Sequence, residues 1–60
     1  MEAKILQQEM VKYRARHNLS QRELAEKCAL SLQTISCVET GIQTPSRLTE
    51  KKILYVIKGD

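Results

Sequence analysis

The sequence predicts an all-α domain of four to five short helices packed around an aliphatic core. Three observations predict it. The apolar fraction is 42%, enough for a globular core, and the only aromatics are Tyr13 and Tyr55. Such a core is filled by Leu, Ile, Val, Met and Ala. Serines stand where helices would begin, at Ser20, Ser31 and Ser46, and a serine there caps the free amides of a first turn. Apolar residues recur at helical spacing, and the regular strand and turn signals of a β-sandwich are missing. Sixty residues suit one domain, a size that buries only about 60% of its unfolded surface.

The first helix is expected from Glu2 to His17, with Leu6, Met10 and Tyr13 as its inward stripe. Asn18 stops it, because Asn tolerates the left-handed conformation at a helix end. The second helix opens on "SQRE", a capping box. The Ser20 hydroxyl can accept the Glu23 amide while the Glu23 carboxylate accepts the Ser20 amide. Leu19 can staple onto Leu24, and Leu24, Ala25 and Cys28 face inward. Ala25 is small and lets another helix come close. This helix ends near Cys28, and Ala29-Leu30-Ser31 is a three-residue connection.

Ser31 caps the third helix, Ile35 and Val38 face inward, and Thr40-Gly41 ends it. "IQTPS" is a loop. Either Thr44 caps the next helix, with Pro45 in its first turn, or Ser46 does. The last stretch, "RLTEKKILYVIK", reads two ways. Leu48, Lys52, Ile53, Val56 and Ile57 fit a helix, whereas "ILYVI" is five β-formers in a row. The Pro-Ser start and the length favour the helix. Ile42, Leu54 and Tyr55 look surplus to a four-helix core and are available for an interface.

Charge narrows the function. The net charge is +3, a mild pointer to an anionic partner. Positive charge gathers at the two ends of the chain: Lys4, Lys12, Arg14 and Arg16 before residue 18, and Arg47, Lys51, Lys52 and Lys58 after residue 42. No signal peptide and no membrane span are expected. Cys28 and Cys37 read as free thiols in a reducing cytoplasm. Lone His17 cannot complete a zinc site, so no metal or cofactor is expected. Catalysis is expected to be absent as well: there is no nucleophile–base pair, no evident carboxylate pair and no Gly-rich phosphate loop.

The run "CALSLQTISCV", from Cys28 to Val38, carries no charge in a chain that is 28% charged. A short capped helix, a three-residue turn and a second short helix describe a helix-turn-helix, here over about residues 20–39. The second helix of that motif lies in the DNA major groove with its N-terminal side chains at base edges. Such a face needs short donors and acceptors rather than long flexible charges. Gln can pair with adenine in two hydrogen bonds, and an apolar group or a Thr methyl can sit on a thymine methyl. Leu32, Gln33, Thr34 and Cys37 are what that face offers.

On these residues the chain resembles the Cro and phage-repressor group, the Xre-like helix-turn-helix proteins. The resemblance rests on "LSQRELAEKCALSLQTISCVETG", with "RAR" upstream and "TPS" downstream, and runs from about Val11 to Ile57. It implies a compact lambda-repressor-like domain that binds a double-stranded DNA operator as a homodimer and acts as a sequence-specific regulator of transcription, a repressor. It implies that Gln21 touches phosphate and that helix 31–39 reads bases through Leu32, Gln33, Thr34 and Cys37. Arg47, near the start of the last helix, either reaches phosphate or is a solvated charge, and phosphate contact at Thr40 is expected to be weak. Arg14 would pair with Glu39 and tie the first helix to the end of the third.

Three departures stand out. Ala29 occupies a turn position where the group has Gly, at a cost of about 1 kcal/mol. Thr40 is shorter than the polar or basic residue usual before Gly41. A final helix that supports dimerisation in the group is missing or merged, so the pairing surface is expected to differ. No small-molecule effector is expected. The competing reading is a repressor-like interaction module, an antitoxin, anti-repressor or partner subunit, motivated by Ile42, Leu54 and Tyr55.

Overall fold

The computed structural model describes residues 2–59. Its elements are four helices, α1 (Ala3–His17), α2 (Gln21–Cys28), α3 (Leu32–Thr40) and α4 (Arg47–Lys58). The last segment is therefore helix, and "ILYVI" forms no strand. Ser46, not Thr44, starts it: its hydroxyl accepts the Thr49 amide at 3.2 Å. Glu2 stands just outside α1 in an extended conformation.

Local chemistry accounts for the helix ends. The capping box of α2 is complete, with Ser20 N donating to Glu23 Oε1 at 2.8 Å and Glu23 N donating to Ser20 Oγ at 3.1 Å. These bonds stabilise the charged Glu23 carboxylate and hold its pKa below the ordinary value of 4.5, the Ser20 backbone amide contributing most. α1 ends at Asn18, in the left-handed region at φ 55, with the Leu19 amide reaching back to the Arg14 carbonyl at 2.8 Å. α2 ends the same way at Ala29, with φ 58, and the Leu30 amide reaches the Ala25 carbonyl at 2.9 Å. The chain thus places an alanine where a residue without Cβ would be relaxed. Gly41, with φ 82, ends α3.

α3 packs on α1 and α2, and α4 closes the other side of the molecule against the same two helices. The core where they meet is Leu6, Met10, Leu24, Ala25, Cys28, Ile35, Val38 and Ile53, with Tyr13, Leu30, Leu54, Val56 and Ile57 half-buried around it. Burial pushes the Cys28 thiol pKa up. Leu48 is 64% exposed, because it lies five residues before Ile53, about 140° around the helix from the buried position. One expectation is corrected. Leu54 is not surplus but rests against the core. Ile42 and Tyr55 do remain outside, at 75% and 68% exposed.

Candidate nucleic-acid interface

The outer face of α3 is set by its inner one. Ile35 and Val38 are buried, which turns Gln33, Ser36, Cys37 and Thr40 toward the opposite side at helical spacing. Leu32 is 39% exposed. Gln33 and Thr40 are exposed, whereas Thr34, Ser36 and Cys37 are half-buried. Among the side chains of this face none is charged.

Hydrogen bonds decide which of these groups are available to a ligand. Ser31 Oγ accepts the Thr34 amide at 3.1 Å and sits 2.8 Å from Thr34 Oγ1. The Thr34 hydroxyl is thus engaged in the cap and offers chiefly its methyl group. Thr40 Oγ1 donates to the Ser36 carbonyl at 2.7 Å, so it keeps only acceptor capacity for a neighbour. The Gln33 amide is absent from every side-chain bond of this face, and it stands at the exposed first turn. Ser36 belongs to the same stripe and was not singled out by the sequence reading. Its spacing of three from Gln33 was the available signal.

A bonded cluster fixes the pose of α3 against the rest of the molecule. Arg14 Nε donates to Glu39 Oε2 at 2.9 Å, and Arg14 Nη2 donates to Glu39 Oε1. Arg14 Nη1 donates to the Leu19 carbonyl at 3.2 Å. Gln21 Nε2 donates to Glu39 Oε1 at 3.2 Å. The Glu39 carboxylate therefore joins the end of α1 to the start of α2, and Arg14 adds the α1–α2 junction. The Glu39 side chain is 7% exposed and that of Arg14 is 23% exposed. The Glu39 hydrogen bonds raise the Arg14 pKa further, against the opposing effect of burial. Planar two-point pairing of this kind fixes direction as well as distance. The Gln21–Glu39 bond could not be read from the sequence, because the two residues lie in different helices.

Gln21 spends one amide hydrogen on Glu39. Its other hydrogen and its carbonyl oxygen remain at the start of α2, where helix amides also point outward. Arg47 is exposed at the first residue of α4, separated in sequence from the Gln33 turn by the Gly41–Ser46 loop.

Residues 10–54 match the family model described as Helix-turn-helix. The chain belongs to the helix-turn-helix family. The matched span of this helix-turn-helix chain takes in α2, α3, the Arg14–Glu39 pair and Arg47. The chain is also similar, at 53% identity over 34 residues, to an uncharacterized HTH-type transcriptional regulator of Methanocaldococcus jannaschii, the aligned stretch being 57% of this chain and 52% of that protein. It thus spans about half the length of that curated relative. No solved structure matches it significantly. Among the described residues, no three or more His, Cys, Asp or Glu side chains gather as a metal site would require. No helix there is long and apolar enough to cross a membrane.

Proposed function

We propose that this helix-turn-helix chain is a sequence-specific transcriptional regulator, a repressor, that lays α3 in the major groove of operator DNA. The observation that carries the proposal is the pairing of an uncharged, exposed outer face on α3 with a rigid bonded clamp behind it. Gln33 is the principal base reader, by two hydrogen bonds to adenine. Leu32 and the Thr34 methyl group lie against thymine methyls, and Cys37 and Thr40 fill the groove further along. Gln21 and Arg47 hold phosphates and set register without reading sequence. Arg14 and Glu39 act behind this surface as positioning residues. The operator is held by two copies, paired through the exposed Ile42 region. As a repressor, the dimer acts by occupancy, excluding other proteins from the site it covers.

Selection of bound sites from random duplexes, followed by titration of Gln33→Ala, tests the reading. The expected result is a discrete consensus and a loss of about 1–3 kcal/mol on that site, with little change on random DNA. An equal loss on both would remove Gln33 from base readout. Absence of any preferred site, with the chain monomeric in light scattering, would support the partner-subunit reading instead.

A further inference from the structure

We propose that the groove between the end of α2 and the outer face of α4 docks an acidic segment of a partner protein. An apolar side chain of that segment would seat in the groove, and its carboxylates would lie on a rim of lysines. Cys28, Ala29 and Val56 form the floor, and Tyr55 stands beside it. Lys27, Lys51 and Lys52 complete the lining.

The floor is almost wholly apolar. Tyr55 is 68% exposed, and Leu48, at the seven-residue spacing that continues this face of α4, is 64% exposed. Apolar surface of this kind gains only when apolar atoms cover it, and tyrosine is among the residues enriched at protein interfaces and their hot spots. Among the described residues, neither Lys51 nor Lys52 is in an ion pair. Lys27 has an internal counter-charge in Glu23, one turn back on α2. The surface therefore combines an open, largely apolar concavity with two cations not neutralised from within.

Two other occupants fit less well. A second copy in a two-fold contact would lay this surface on itself, bringing Lys51 and Lys52 against their own counterparts, and like charges across an interface repel. A DNA backbone would satisfy the lysines but gains nothing from the apolar floor or from burying Leu48. An amphipathic helix with carboxylates flanking an apolar stripe satisfies both parts, in the helix-in-groove mode. The proposal is independent of how α3 meets DNA. The small area implies weak, transient binding.

The test is a titration of the isotope-labelled chain, followed through its amide resonances, with a synthetic helical peptide carrying Leu at helical spacing flanked by Glu. A control peptide keeps the leucines and replaces each Glu with Lys. The acidic peptide should shift the amides of Lys27, Ala29, Lys52 and Tyr55, and the control should not. The paired reversal K51E/K52E should weaken binding about tenfold or more, with helical circular dichroism retained. Tyr55→Ser, at an exposed site, should weaken it as a second, independent variant. Equal binding of both peptides, shifts confined to other faces, or unchanged affinity in both variants would overturn the proposal. So would duplex DNA shifting these same four amides, which would assign the lysines to the DNA surface; readout by α3 is followed separately on the Gln33 and Cys37 amides.

Discussion

Ala29 shows how a single residue trades local strain against chain entropy. Its φ of 58 is in the region where a Cβ crowds the following carbonyl, at about 1–2 kcal/mol. Glycine relieves that contact but enlarges the unfolded ensemble, at about 0.4–1 kcal/mol. Strain relief is the larger effect, so Ala29→Gly should raise stability by about 0.5–1 kcal/mol. A higher urea midpoint at unchanged slope is the expected readout, and a lower midpoint would show that the strain is already relaxed. Gly41 is the converse case. Its φ is 82, and a Cβ there would lie 3.0 Å from Gln7 Nε2, so Gly41→Ala is expected to destabilise. Glu39 has a different dependence, because three donated bonds converge on its carboxylate. Arg14→Leu leaves that nearly buried charge without its cation. The expected cost is about 1–3 kcal/mol, below that of a fully buried pair because Arg14 retains some solvent contact. Circular dichroism in urea measures it. A loss under about 0.5 kcal/mol would place the pair among ordinary surface pairs.

At the scale of elements, what the sequence made legible is what local chemistry determines. The α2 boundaries follow from a capping box complete within four residues, and the α3 boundaries from Ser31 and Gly41. α4 was ambiguous because "ILYVI" satisfies strand propensity, and only packing against α1 and α2 decides between the two. Leu54 was read as surplus for the same reason, since a helical pattern does not say which side meets the core, and Leu54 rests against it. In the candidate interface, the exposed positions of α3 could be read from the register of Ile35 and Val38. The engagement of the Thr34 and Thr40 hydroxyls and the Gln21–Glu39 bond could not, because they depend on rotamers and on helices distant in sequence. The capping box also gives α2 a pH signature. Glu23 has a depressed pKa in the folded chain, so the charged form is favoured by folding. Its contribution is fully present above the unfolded value near 4.5 and is lost as pH falls through the lower folded value. Between about pH 5 and pH 3 the urea midpoint should fall, and Glu23→Gln should flatten that part of the curve. Superimposable slopes would mean that other carboxylates carry the acid response.

The whole molecule limits how DNA can be held. Its extents are 24 × 22 × 18 Å, whereas successive major-groove faces on one side of a duplex are about 34 Å apart. The described residues of one copy do not reach both, whereas those of two touching copies can. A surface that pairs them must be exposed, apolar and free of concentrated like charge. The α4 groove fails the last condition through Lys51 and Lys52. The region after α3 meets it: Ile42 is 75% exposed and Val11 is 48% exposed, and Gly41 abuts the Gln7 side chain of α1. If the copies pair there as proposed, Ile42→Glu places a carboxylate opposite its own copy across the two-fold axis. At so exposed a site the fold should be nearly unaffected, within about 0.5 kcal/mol. Affinity for a site with two half-sites about 10 base pairs apart should fall about tenfold or more, since each copy would bind without help from the other. Affinity for a single half-site should be unchanged, and the variant should keep the steep decline with salt that phosphate contacts impose. If full-site affinity survives Ile42→Glu while the consensus stays two-fold symmetric, the copies pair elsewhere. If half-site affinity falls equally, Ile42 acts on the pose of α3 through Gly41 rather than between copies.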